Sequence, residues 1–255
     1  MKINVLGVPV DATNIDDVMA AVDAKIAAGE KGYITVTGVH GIMESVRSPH
    51  VLEAHRKAWL VVPDGMPLVH IGRLLHGHRT MRRCFGPDLM ERLLAHSVPN
   101  GYTHFLFGGN KGVAQSLKAK LEERFPGLRI VGAYTPPFRP LNAEERAELA
   151  RAVDRLKPNF FWVGLSTPKQ ELFMHQFLPL LSTNIMLGVG AAFDYHNGHL
   201  KRAPRWMQLL ALEWLYRLMS EPRRLWKRYL INNPLFLFNF FLQVCGIKKY
   251  AKNSD

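Results

Sequence analysis

Short apolar runs recur along this chain. Each is broken by glycine, proline or a small hydroxyl residue before a stretch whose apolar residues repeat at helical spacing. Ile3 to Val10 alternates and predicts a strand. Thr13 and Asn14, with Asp16 and Asp17 behind them, cap a helix to about Ala28. Tyr33 to Thr37 is β-branched and predicts a buried strand, Gly38 to Gly41 breaks it, and a helix begins at Ile42. Trp59 to Val62 is a third strand, closed by Pro63-Asp64-Gly65. Leu68 to Thr80 starts as a helix, and Asp88 to His96 reads as a capped one. Thr103 to Phe107 is a strand, Gly108-Gly109-Asn110 a turn, and the helix after it runs to Phe125 before Pro126-Gly127. Leu128 to Tyr134 is a strand, Thr135 to Pro140 a rigid loop, and Asn142 caps a helix to about Leu156. Phe160 to Val163 is an apolar strand broken at Gly164. Past Ser166-Thr167-Pro168, a helix opens around Lys169-Gln170-Glu171 and runs to Leu181. Ile185 to Val189 is the last strand, and a small-residue turn carries the chain to Asp194.

This repeated strand–loop–helix order predicts an α/β protein. Its sheet, or sheets, would be largely parallel, flanked by helices and Rossmann-like. Residues 1–198 form the α/β unit, with a division into two subdomains left open. In such sheets ligands bind beyond the carboxyl ends of the strands, where helix N-termini favour anions. Candidate chemistry therefore sits at the strand ends. Lys169 and Gln170 place a cation and an amide past Gly164, either beside a phosphate or as a plain solvated helix start. Gly108, Gly109 and Asn110 form a turn that lets backbone approach a phosphate, without matching a known nucleotide fingerprint. Thr35 and Thr37 share one face of their strand, as hydroxyl donors or as β-propensity filler. Asp64 and Asp194 each lie past a strand end. Asp64 precedes a glycine, so its pattern alone favours an Asx turn over a general base. Tyr134 and Phe138 can stack on a base or pack within their own loop. His76 and His78 lack a third ligand at useful spacing, so no metal site is expected.

Composition adds one thing to this picture. Hydrophobic content of 47% and charged content of 21% are ordinary for a globular chain and exclude a disordered one. The formal charge of +12 is not ordinary and asks for an anionic partner. Two cysteines, Cys84 and Cys245, in unrelated contexts argue against a disulfide framework and for a reduced compartment. The first residues do not read as a signal peptide, and no apolar run reaches the roughly 18 residues needed to span a bilayer.

Much of the positive charge falls after Leu200, in a helical appendage predicted over 199–255. Arg202, Arg205, Arg217, Arg223, Arg224, Lys227 and Arg228 interleave there with Trp206, Trp214, Trp226 and several leucines. A basic amphipathic helix with aromatic margins suits an anionic membrane surface. The apolar run Leu235 to Leu242 is short enough to lie in the interface or against the body of the protein. Basic aromatic segments also suit nucleic acid, but no such motif accompanies this one and no nucleic-acid partner is expected.

Taken in order, several short segments resemble the WecG/TagA/CpsF family of bacterial glycosyltransferases. They are Thr35-Val36-Thr37-Gly38-Val39-His40, Pro63-Asp64-Gly65, Phe107-Gly108-Gly109, Pro136-Pro137-Phe138-Arg139-Pro140 and Pro168-Lys169-Gln170-Glu171. Gly188 to Asp194 and the stretch from Arg202 to Leu218 complete the set, so the resemblance covers nearly the whole length. It implies an inverting transfer of sugar from a UDP-sugar to a polyprenyl-pyrophosphate-linked saccharide, at the cytoplasmic face of the bacterial inner membrane. The donor could carry N-acetylmannosamine, its uronic acid, or a hexose or hexuronic acid. By resemblance Asp64 is the general base. Thr35, Thr37, Gln170 and Asp194 line its pocket, and the appendage arginines, Arg202 and Arg205 among them, meet the pyrophosphate. Relatives carry Asn where this chain has Thr37, a region tied to sugar choice. The chain has no Asp-X-Asp triplet, so metal-independent catalysis without a cofactor is expected. A homo-oligomer remains open. The competing reading is a non-catalytic nucleotide- or lipid-binding module at the membrane.

Overall fold

The computed structural model describes residues 1–251, so the last four residues of the predicted appendage, 252–255, lie outside the described residues. Six strands form one parallel sheet: β3 (Gly32–Thr37), β4 (Leu60–Pro63), β5 (Thr103–Gly108), β6 (Arg129–Tyr134), β7 (Phe160–Gly164) and β8 (Ile185–Gly188). Their spatial order is β4-β3-β8-β7-β5-β6. The sheet shares parallel strands with the dinucleotide-binding fold but not its order, because here the last strand lies beside the first.

Strands buried on both faces read as continuous apolar runs, and the alternation along them builds two cores. Tyr33, Val61, Phe105, Phe107, Phe161, Val163 and Met186 face one side. They pack there under α2 (Val39–Arg47), α3 (Pro49–Arg56), α4 (Met66–His70), α7 (Ala143–Leu156) and α8 (Lys169–Phe177). Ile34, Val36, Val62, Leu106, Trp162 and Leu187 face the other side. These lie under α1 (Ile15–Ala27), α5 (Gly86–Asn100), α6 (Val113–Arg124) and α9 (Ala192–His196). Neighbouring strands β3, β8 and β7 thus send their chains to opposite faces. A crevice opens beyond their carboxyl ends.

Three expectations change. Ile3 to Val10 is two strands, β1 (Lys2–Val5) and β2 (Val8–Asp11), paired antiparallel. Leu6 and Gly7 both take positive φ, 51° and 89°, which reverses the chain in two residues without breaking the apolar run. The hairpin is tied to the sheet by the Val61 N–H, which donates to Asp11 Oδ2 at 2.8 Å. The helix from Ile42 begins three residues earlier at Val39, and a separate helix, α3, follows it at Pro49. The helix expected over Asp88 to His96 runs from Gly86 to Asn100.

The appendage is helical. It comprises α10 (Arg205–Leu209), α11 (Glu213–Ser220) and α12 (Pro222–Trp226), which passes through a π-helical turn (Lys227–Ile231) into α13 (Asn232–Val244). One side of α13 lies on the body. Phe236 joins the first core, the Gln243 side chain accepts from the Leu6 N–H at 2.8 Å, and it donates to Asn4 O at 2.9 Å. The other side stays bare, with Leu237, Phe238 and Phe241 each about three-fifths exposed. Among the described residues, no helix is long and apolar enough to cross a membrane.

Candidate functional site

Asp64 is fixed by backbone before its side chain does anything. Its N–H donates to Thr37 O at 2.9 Å, extending the β3–β4 ladder by one residue past Pro63. Its own carbonyl accepts from Arg83 Nε at 2.7 Å. The carboxylate therefore stands at the mouth of the crevice. Its Oδ1 is buried without a hydrogen-bond partner, and Arg83 Nη2 lies 3.9 Å away. Burial pushes the Asp64 pKa up to about 6, while Arg83, Arg228 and Arg217 pull it down and Glu213 adds to the rise. Such a carboxylate is ionised at neutral pH but basic enough to accept a proton.

Two adjoining recesses meet at Asp64, Phe85, Tyr195, Arg217 and Arg228. The first is completed by Gly38, His40, Gly65, Glu213, Trp214 and Tyr229. The second is completed by Ser166, Thr167, Gln170, Gly190 and Arg224. The appendage thus forms one wall of the crevice through α11, α12 and the π-helical turn. The Nε donors of Arg217 and Arg228 are buried and have no partner, and burial lowers the Arg228 pKa, with Arg217 and Arg224 adding to that effect. Crowded guanidiniums with unmade hydrogen bonds are what an oxyanion satisfies. Burial, and next the charge of Arg228, lowers the His40 pKa to about 4, so this imidazole is neutral.

Gln170 is buried, and its amide is oriented. Its Nε2 donates to Glu171 Oε1 at 3.1 Å, and Thr167 Oγ1 donates to the same oxygen at 2.9 Å. The Gln170 Oε1 is left as an unpaired acceptor on the floor of the second recess. Gly188 leaves room for it, since a Cβ there would lie 3.1 Å from the Gln170 amide carbon.

Of the residues singled out from sequence, the structure brings Asp64 and Gln170 into one recess. Thr35 and Thr37 are buried and line neither recess, and the Thr35 hydroxyl has no hydrogen-bond partner. The His55 ring lies 2.9 Å from Val51 O through Nδ1, so Nδ1 carries the proton and Nε2 accepts the Thr37 hydroxyl at 3.1 Å. Thr37 therefore donates inward, while its carbonyl holds Asp64. Gly108 and Gly164 serve close strand approach. A Cβ on Gly108 would meet Gly164 O at 2.6 Å, and one on Gly164 would meet the Phe193 ring at 2.8 Å. Gly109, Asn110 and Tyr134 stand with them at the β5–β6 end and line neither recess, and Tyr134 stacks on Phe107. Lys169 is exposed and lies over the Phe138 ring. The Asp194 backbone carbonyl accepts from the His199 and Leu200 N–H groups in the turn after α9, and its side chain lines neither recess. Arg202 is bound to both Asp88 oxygens, at 2.5 and 3.0 Å, and Arg205 is exposed at the start of α10. Among the described residues, no three His, Cys, Asp or Glu side chains gather into a metal-binding cluster.

Sequence reasoning placed positive charge in the appendage, and the structure sorts its arginines by position. Arg217, Arg224 and Arg228 line the crevice, whereas Arg202 and Arg205 do not. Tyr195, one residue past Asp194, lines both recesses as Phe85 does, and Arg83 is the cation beside the carboxylate. Helical spacing held a signal for two of the arginines. Arg224 and Arg228 are four residues apart on α12 and the π-helical turn that continues it, whereas Arg217 lies on α11, beyond the break at Glu221.

A sequence model of the glycosyl transferase WecG/TagA/CpsF family matches residues 3–250. An N-acetylglucosaminyldiphosphoundecaprenol N-acetyl-beta-D-mannosaminyltransferase from Bacillus subtilis (strain 168) is similar at 34% identity over 170 residues. That match covers 67% of this chain and 64% of the relative's length.

Proposed function

Because the chain belongs to the WecG/TagA/CpsF family of glycosyl transferases, we propose that it moves an N-acetylmannosaminyl group from a UDP-sugar to a saccharide on a polyprenyl pyrophosphate. The named relative supports the sugar and the acceptor class. The observation that carries the reading is the pairing of an unpartnered, basic carboxylate, Asp64, with three appendage arginines in one crevice. Asp64 takes the proton from the acceptor hydroxyl as that oxygen bonds to the anomeric carbon. The bond from that carbon to the UDP oxygen breaks, and the anomeric configuration inverts. Arg217, Arg224 and Arg228 neutralise charge on diphosphate groups, so the step proceeds without a divalent metal. The Gln170 Oε1 accepts a hydroxyl or amide N–H of the donor sugar.

The appendage also supplies the membrane contact. The bare side of α13, with Trp206, Trp214 and Trp226 among the other exposed large side chains of the tail, forms an apolar surface beside basic residues. Such a surface enters the headgroup region peripherally. Peripheral attachment at the cytoplasmic face of the inner membrane, where UDP-sugar and lipid-linked acceptor would meet, is part of the same proposal.

The deciding experiment measures UDP release from a panel of UDP-sugars with a lipid-pyrophosphate-linked N-acetylglucosamine acceptor, with and without EDTA. Turnover with UDP-N-acetylmannosamine that survives EDTA is expected. Nucleotide binding without turnover on any donor would favour a non-catalytic binding module instead.

A further inference from the structure

We propose that Glu213, carried by the appendage, is a positioning residue that keeps the Arg83 guanidinium off the Asp64 carboxylate and so leaves that carboxylate free to take a proton. This rests on the reading of Asp64 as the base.

Arg83 has three demands on one planar group. Its Nε donates to the Asp64 carbonyl, its Nη1 is ion-paired with Glu213 Oε2, and its Nη2 stands 3.9 Å from Asp64 Oδ1. Hydrogen bonding is thus spent on the Asp64 backbone and on Glu213, while the Asp64 carboxylate receives none. Glu213 is well placed to hold that arrangement. It lies buried in the first turn of α11, and its second oxygen is 3.9 Å from Arg202 Nε, which is itself anchored on Asp88. The Arg83 and Arg202 guanidiniums also lie over the same Phe85 ring, at 4.2 and 4.9 Å from its centroid. Without Glu213, Nη1 loses its ion pair, and Asp88, the other carboxylate acting on Arg83, is already held by Arg202. A planar guanidinium beside a carboxylate then turns to bind it bidentately. That pair would lower the basicity of Asp64 and occupy the oxygen that must meet the acceptor hydroxyl.

Several other groups surround Asp64. They are Cys84 beside Arg83, Arg217 on α11, Arg228 on the π-helical turn, Tyr195 on α9 and His40 on α2. None of them is ion-paired with Glu213 as Arg83 is. The Glu213 charge also raises the Asp64 pKa directly, and the Arg83→Gln background separates that direct effect from positioning.

The test follows the Asp64 carboxyl by carbon-13 NMR, identified by its absence in Asp64→Asn. The full chain is compared as parent, Glu213→Gln, Arg83→Gln and the double variant. Glu213→Gln is expected to move the Asp64 titration about one pH unit lower. With Arg83 already replaced, the same change should move it far less. Glu213→Asp, which keeps the charge on α11, should restore most of the parent midpoint. The acid limb of kcat/KM should follow the NMR midpoint, with kcat about tenfold lower in Glu213→Gln. An unmoved midpoint, or an equal movement in both Arg83 backgrounds, would overturn the proposal. If Glu213→Gln does not fold, Glu213→Ala carries the same comparison, and an unmoved midpoint, or an equal movement in both Arg83 backgrounds, would overturn the proposal. Absence of turnover in the parent would count against the proposed activity, while the NMR titration still decides the role of Glu213.

Discussion

In the proposed reaction a single carboxylate, Asp64, carries most of the chemistry, and its environment has a thermodynamic signature. The folded pKa of Asp64, about 6, lies above its ordinary value of 3.8, so ionising it costs stability in the fold. That cost is absent below about pH 4, grows as pH rises to about 6, and stays constant above. Asp64→Asn removes it. The variant should therefore melt at a higher temperature than the parent at pH 8, with the gap closing at pH 4, as scanning calorimetry can show. Turnover should vanish in the same variant, and kcat/KM of the parent should rise through about pH 6. An aspartate that only formed an Asx turn would show neither behaviour. Asp64-Gly65 in sequence cannot separate these readings, because both need an acid before a glycine. The unpartnered Oδ1 and the nearby arginines separate them, and these come from segments some 20 to 160 residues away in sequence.

At the scale of elements, the glycines at the strand ends were legible as turns but not as to their purpose. Gly108 combines a φ of +130° with a would-be Cβ at 2.6 Å from Gly164 O. Gly108→Ala should therefore destabilise by about 2–4 kcal/mol in chemical denaturation, through strain at both strand ends. A loop that cradled phosphate would instead lose nucleotide affinity at unchanged stability. The threonine strand teaches the same lesson. Period two puts Thr35 and Thr37 on one face, as expected, but whether that face meets the crevice or the helices depends on how α2 and α3 cover it. They cover it at Thr37, where His55 on α3 takes the hydroxyl. The first strand shows the limit of apolar patterning itself. Ile3 to Val10 stays apolar through a two-residue reversal, since Val5 and Val8 flanking the turn and Leu6 within it are all buried.

For the whole molecule, the appendage decides more than attachment. It buries Phe236 in the first core, walls the crevice with arginines, and turns an apolar helix side outward. Replacing Leu237, Phe238 and Phe241 with glutamine should abolish flotation with anionic vesicles and leave the melting temperature within a few degrees, because these side chains touch little of the body. If the triple variant still floats, the outward side of α13 is not the membrane contact. Complete removal of the chain after Leu200 would be a poorer test. It strips Phe236 from the core along with the lipid-binding surface.

The sequence by itself determined the parallel α/β architecture, the strand ends where ligands gather, the acid at the end of the fourth strand, and a basic, apolar tail. These are local properties, written in the spacing of apolar residues and in the residues that break them. Only the tertiary structure decided which threonines turn inward, which glycines serve packing, and that Arg217, Arg224 and Arg228 rather than Arg202 and Arg205 face Asp64. The physical reason is that a charge acts on what lies within a few ångströms of it. The chain folds its C-terminal helices back across about 150 residues of sequence to set those distances.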